Sequence, residues 1–221
     1  LMMFDERRHL LKAMINIAST LALLIIAVLL VRIADTSAAG DSAAMTGVYL
    51  LGNWPAPFGI VLVLDRLAGL MLLLGAVLAV AALVFSLARW HRGGPHFHTL
   101  FQFLLMGVNG AVLTGDLFNL FVFFEVMLAA SYGLALHGSG PTRVKAGLHY
   151  IAINLAASLL FLIGVALVYG VTGTLNMADL AVRVPEVPPS DLMLLHTGAA
   201  LLGIAFLTKA GMWPLCFWLP T

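Results

Sequence analysis

The sequence predicts an all-α polytopic membrane protein with about six membrane-crossing helices, and three observations carry that expectation. Hydrophobic residues make up 62% of the 221-residue chain and charged residues only 10%, whereas soluble domains carry charge at about a quarter of positions. Long apolar runs recur, each close to the ~20 residues that cross ~30 Å of hydrocarbon at 1.5 Å rise per residue. Basic residues gather in alternate connections, the pattern of a chain threaded back and forth through a membrane. The mean hydropathy of +1.06 agrees.

In chain order the expected spans are 10–34, 58–88, 97–114, 117–137, 147–170 and 192–219. The apolar block 97–137 would be about 60 Å long as one helix, twice the bilayer. It must therefore fold as a hairpin, with Gly115 and Asp116 as the turn. The connections 35–57 and 171–191 are rich in Gly, Pro, Ser and Asp and read as exposed connectors. Arg7, Arg8 and Lys12, then Arg89 and Arg92, then Arg143 and Lys145 fall in alternate loops. The loops around 7–12, 89–96 and 138–145 are therefore expected to face the cytoplasm. The whole of 1–221 reads as one transmembrane domain, cut at both ends from a longer protein.

Composition also excludes functions. Eleven Lys plus Arg against ten Asp plus Glu leave no basic excess for nucleic acid. A single cysteine, Cys216, allows neither an internal disulfide nor a thiolate metal site. No phosphate-binding loop, dinucleotide fingerprint, nucleophile elbow or haem motif is present, so neither cofactor nor metal is expected.

Two charges stand inside the apolar spans. Glu125 lies about eight residues into the fourth span, roughly 12 Å from its end and close to mid-membrane. A carboxylate there costs several kcal/mol unless neutral, paired or wetted, and such residues mark ion or proton paths. Its helical face carries Phe118, Phe121, Val122, Ala129 and Tyr132. The plainer alternative is a protonated acid hydrogen-bonded to a neighbouring helix. Lys209, in the sixth span, shares a face with Ala205, Leu202 and Gly198, and Pro214 is expected to kink or interrupt the helix beside it. Broken helices at membrane depth recur where transporters hold ions; the alternative is a lysine snorkelling to the interface. Desolvation disfavours both charged forms and mutual proximity restores them. An acid and a base in separate spans thus suggest a titrating pair.

Other polar residues carry weaker signals. Asn154 and Ser158, four apart on the fifth span, read as helix glue. Lys145 and His149 share a face at its cytoplasmic mouth, where they either pass protons inward or anchor the interface. His91, His96 and His98 lack the carboxylate or thiolate partners of a metal site. His137 and His196 read as interfacial, Asp65 and Arg66 as a local anchor, and the four tryptophans as an aromatic belt.

Two long motifs, TGDLFNLFVFFEVMLAASYGL at 114–134 and FLTKAGMWPLCFWLPT at 206–221, closely resemble the D-type subunit of the multisubunit Mrp-type monovalent cation/proton antiporters, including the potassium-linked Pha branch. The likeness covers nearly all 221 residues, the DERRH opening included. The wider family takes in the antiporter-like membrane subunits of respiratory complex I. Those relatives usually carry Trp before the glutamate and a different sequence after the lysine; Phe124 and AGMWPLCFW favour the D type. The resemblance implies about fourteen helices with two inverted five-helix repeats, each holding an interrupted helix. This chain would supply roughly helices 2 to 7. Glu125 then matches the essential fifth-helix glutamate and Lys209 the seventh-helix lysine; Lys145 and His149 have no match carried over.

The expected function is that of a proton-translocating subunit of a Na+ or K+/H+ antiporter, a secondary transporter and not an enzyme. It would sit in a bacterial inner membrane with other subunits, lipid, protons and an alkali cation as partners. One rival is an antiporter-like pumping subunit of a complex I-type or hydrogenase-type oxidoreductase. Another is a non-transporting scaffold whose buried charges only fix helix pairing.

Overall fold

Cap residues set where the helices start and stop. A computed structural model describes residues 9–38, 47–55, 57–88, 90, 94, 96–138 and 140–219. Its elements are α1 (His9–Ala38), β1 (Gly47–Leu50), β2 (Val61–Leu64), α2 (Arg66–Leu87), α3 (Phe97–Leu113), α4 (Leu117–Ala135), α5 (Pro141–Thr172), α6 (Met177–Arg183) and α7 (Leu192–Lys209). Asp65 caps α2 by accepting from Ala68 N at 2.6 Å, and Asp116 caps α4 by accepting from Asn119 N at 2.8 Å. Asn176 accepts from Ala178 N and Asp179 N to start α6. Pro141 opens α5, and Gly173, at φ 70°, closes it in the left-handed region.

The chain is a multi-span membrane protein. Among the described residues, α1, α2, α4, α5 and α7 are long and apolar enough to cross a membrane, and α3 is a shorter apolar helix of 17 residues. The helices pack as consecutive pairs, α1 with α2, α3 with α4 and α5 with α7, with α4 against α5 joining the last four. Large apolar side chains cover much of the outside, as in a chain solvated by lipid.

Three expected boundaries are corrected. The second span does not begin at Phe58: Val61–Leu64 pairs antiparallel with Gly47–Leu50, and the helix starts only at Arg66. Alternating β-branched residues supply the hydropathy of a helix while favouring a strand. The connection at 171–191 contains the end of α5 and all of α6. The last helix does not run kinked to Leu219 but stops at Lys209; Gly211 turns at φ 61°, and Trp218 Nε1 folds back to donate to Thr208 O at 2.8 Å. The turn at Gly115 and Asp116 stands as expected, with Gly115 N bonded to Val61 O at 2.8 Å. Of the basic-loop residues, Arg7, Arg8, Arg89 and Arg92 lie outside the described residues. Lys12 is inside α1 and buried.

α5 and α7 meet at a glycine contact. A Cβ on Gly164 would stand 2.9 Å from Gly198 O, whereas one on Gly203 would meet nothing within 4 Å. Around that contact Phe161, Val165, Val168, Leu195, Leu202 and Ala205 form a core. Close backbone approach of this kind is how membrane helices gain packing energy. Gly164→Ala is therefore expected to destabilise the full-length protein by about 1–3 kcal/mol, read as a lower thermal midpoint in detergent. Gly203→Ala should leave the midpoint unchanged.

Candidate functional site

The core places Glu125 and Lys209 on facing helices. Glu125 sits midway along α4 and Lys209 on the last residue of α7; between them α5 presents Ser158, 3% exposed. Lys209 Nζ donates to Ser158 Oγ at 2.8 Å, and Ser158 Oγ donates in turn to Glu125 Oε1 in a short hydrogen bond. One hydroxyl thus joins the acid and the base, which the sequence alone does not connect. Ser158, expected to be helix glue, does bond across helix interfaces, and the partners it joins are the two charges. Its companion Asn154 donates to Tyr150 O within α5. Nothing in the sequence singles out this serine, since only the packing of α4 and α7 around α5 puts it between the two charges.

The surroundings suit a charge. Lys209 Nζ lies 5.5 Å from the Phe124 ring centroid, a cation–π contact that strengthens where water is scarce. The end of α7, where backbone carbonyls lose their helical partners, also favours a cation. Phe121, Phe124 and Phe206 pack on Phe161 with centroids 5.3 to 6.0 Å apart, an apolar wall along the same helices.

A cavity of about 310 Å³ opens beside Lys209, with Tyr150, Asn154 and Trp218 among its lining residues. That volume has room for roughly ten waters. Ser131 Oγ and Tyr150 OH are hydrogen-bonded at 2.9 Å, and the Tyr132 and Tyr150 rings meet edge to face. Polar groups therefore run from the pair toward the end of the bundle where α5 begins. Lys145 and His149 lie exposed on the first turns of α5, and the His149 ring contacts Phe217 at 6.3 Å.

At the opposite end, polar residues tie two turns together. Asn119 Nδ2 donates to Thr114 Oγ1 at 2.9 Å, Leu117 N to Leu175 O, and Met177 N to Gly115 O. Asp179 in α6 pairs with Arg183 at 3.1 Å. Its carboxyl is held below the usual carboxylate range, first by a hydrogen bond from Thr174 and then by Arg183, against the opposing effect of burial.

The remaining candidates separate. His98 is not in a loop: it is the second residue of α3, buried, and bonded to Asn16 at 2.8 Å. His96 is exposed, and His91 lies outside the described residues. His137, just past the end of α4, is buried with its Nε2 bonded to Trp90 O at 2.9 Å; His196 is exposed. Arg66 pairs with Asp35 of α1 at 3.3 Å, while Asp65 is a helix cap. Trp218 is buried, unlike the exposed Trp54, Trp90 and Trp213.

Residues 114–221, which hold the whole Glu125–Ser158–Lys209 arrangement, match the family described as NADH:quinone oxidoreductase/Mrp antiporter, TM. The D subunit of a "Probable K(+)/H(+) antiporter" from Rhizobium meliloti is 65% identical over 98% of this chain and 40% of its own length. The D subunit of a "Na(+)/H(+) antiporter" from Alkalihalophilus pseudofirmus is 50% identical over 77% of this chain and 34% of its own length. Among solved structures, a chain of the Mrp complex from Dietzia sp. DQ12-45-1b superposes with a TM-score of 0.82 at 36% identity, covering 96% of this chain and 38% of that one. The chain thus spans well under half the length of the relatives it matches.

Proposed function

We propose, on the premise that this chain belongs to the NADH:quinone oxidoreductase/Mrp antiporter family of membrane subunits and to its D-type branch, that the full-length protein moves protons in exchange for a monovalent alkali cation. It works as one subunit of a hetero-oligomeric complex in a bacterial plasma membrane, as part of a secondary transporter. The observation that carries the reading is the hydroxyl bridge: a half-buried base and a half-buried acid share one buried serine beside a cavity. Lys209 takes up and releases the transported proton. Glu125 sets how tightly it is held, because a charged carboxylate at hydrogen-bonded range stabilises the ammonium and a neutral one does not. The end of the bundle where α5 begins faces the cytoplasm, and Lys145 and His149 exchange protons with that phase.

The test is proton-coupled cation exchange in inverted vesicles carrying the assembled complex. Glu125→Asp should keep more activity than Glu125→Gln, since the role is electrostatic, and Glu125→Ala should lose most of it. Wild-type exchange in Glu125→Ala would overturn the assignment. The family also contains subunits of redox-driven complexes. The D-type relatives from Rhizobium and Alkalihalophilus favour the antiporter reading.

A further inference from the structure

The cavity beside Lys209 ends, on the side where α5 begins, in a cluster of rings. Tyr150, Asn154 and Ser158 stand four residues apart on one face of α5, which puts Tyr150 about 12 Å nearer than Ser158 to the start of that helix. Tyr150 and Asn154 line the cavity together with Lys209. Three elements converge on Tyr150. Its ring meets Tyr132 of α4 edge to face with centroids 5.2 Å apart, and lies 5.4 Å from the ring of Trp218, in the turn after α7. Trp218 is buried, and its Nε1 is committed to Thr208 O.

Through these rings runs a pair of hydroxyls. Ser131 Oγ, on α4, donates to Leu128 O at 2.8 Å and lies 2.9 Å from Tyr150 Oη. A serine hydroxyl holds one hydrogen. With that hydrogen on Leu128 O, the Tyr150 hydroxyl is the donor to Ser131, and its own lone pairs are left to accept. Helix pairing alone would explain two hydroxyls meeting across α4 and α5. It would not explain why the tyrosine also forms part of the wall around the amine of Lys209, on the side from which Lys145 and His149 are reached.

We infer that the Tyr150 hydroxyl, held by Ser131, is a further proton-transfer group, passing protons between the Lys209 cavity and the end of the bundle where α5 begins. In each transfer the phenol oxygen accepts a proton on the cavity side as its own hydrogen moves to Ser131 Oγ, and Ser131 gives up its hydrogen on the far side. At each oxygen one O–H bond forms and one breaks, so both hydroxyls are neutral before and after. In this structure the relay is shut, because the hydrogen of Ser131 rests on a backbone carbonyl, which passes it no further. Turning the Ser131 hydroxyl away from Leu128 O opens it. The inference rests on the reading that the protein moves protons through Lys209, and the experiment separates the two.

Tyr150→Phe keeps the ring and its contacts with Tyr132 and Trp218 but removes the hydroxyl; Ser131→Ala removes its partner. Each is expected to lower the maximal rate of proton-coupled exchange by the full-length complex in inverted vesicles about tenfold. That is short of the ~100-fold a positioned proton-transfer group contributes, because water in the cavity replaces part of the path. The cation concentration at half-maximal rate and the thermal midpoint of the complex should both stay at wild-type values. Ser131→Thr keeps a hydroxyl and should restore most of the rate. Wild-type exchange in either Tyr150→Phe or Ser131→Ala would overturn the relay, and where only one of them assembles, that one decides. A thermal midpoint that falls with the rate in both, or failure of both to assemble, would also overturn it and leave the pair as helix glue. A wild-type complex that exchanges no protons would bring down the transport reading itself; exchange lost in Lys209→Ala but intact in Tyr150→Phe would bring down only the relay.

Discussion

Lys209→Ala in the full-length protein is expected to reduce proton-coupled cation exchange by about a hundredfold or more, the span associated with removing a positioned proton-transfer group. The expectation follows from where the amine sits. It is the last residue of α7, bonded to Ser158 at 2.8 Å and bordering the cavity that also reaches Tyr150 and Trp218. Without it, Glu125 and Ser158 retain their bond but have no group that carries a positive charge. Lys209→Arg discriminates between roles, because arginine keeps the charge and stays protonated at every accessible pH. A lysine that only neutralises Glu125 would be replaced well by arginine, with exchange near wild type. A lysine that delivers the proton would not, and Lys209→Arg should be nearly as inactive as Lys209→Ala. Both variants should reach the membrane at ordinary levels, since the apolar packing of α7 on α5 runs through Gly198, Leu202 and Ala205 and is untouched by either change. Exchange in inverted vesicles, normalised to assembled complex, is the measurement.

Much of this arrangement is legible in the sequence, for a physical reason. Charges are so costly in hydrocarbon that Glu125 and Lys209 stand out from their apolar runs before any fold is known. The Gly115–Asp116 turn is legible because the block 97–137 is too long for one straight crossing, and an Asp caps the helix that follows. What hydropathy cannot show is anything that depends on partners. Val61–Leu64 has the apolarity of a helix, and only its pairing with Gly47–Leu50 makes it a strand. Lys12 follows two arginines and reads as loop charge, yet α1 begins at His9 and carries it indoors. Pro214 marks a helix kinked or interrupted beside Lys209, and the helix is indeed interrupted there, but the return of Trp218 to Thr208 depends on packing that hydropathy does not show. Ser158 is the hardest to see, since a serine in a membrane helix more often bonds its own backbone or a neighbour's than joins two ions.

Ser158 therefore supports the most discriminating remaining experiment. Ser158→Ala removes the one atom that, among the described residues, is bonded to both Lys209 and Glu125, leaving an amine and a carboxylate without the partner that each had in a site of low polarity. An unmet hydrogen bond to a charged group costs more than the ~1–3 kcal/mol of a neutral one, so exchange should fall about tenfold or more. Ser158→Thr keeps the hydroxyl and should restore most of the rate. Ser158→Val fills the same space as threonine without the hydroxyl, so it should be at least as impaired as the alanine variant, although its packing is the closer match. The order threonine, then alanine, then valine is what a relay through oxygen requires. A tight steric fit would instead put alanine first and group threonine with valine. If all three exchanged at the wild-type rate, Glu125 and Lys209 would be acting on each other directly or through water, and the hydroxyl would be an onlooker. The stability of the assembled complex, measured alongside, separates the two kinds of loss: a packing defect lowers the thermal midpoint with the rate, while a broken relay lowers the rate alone.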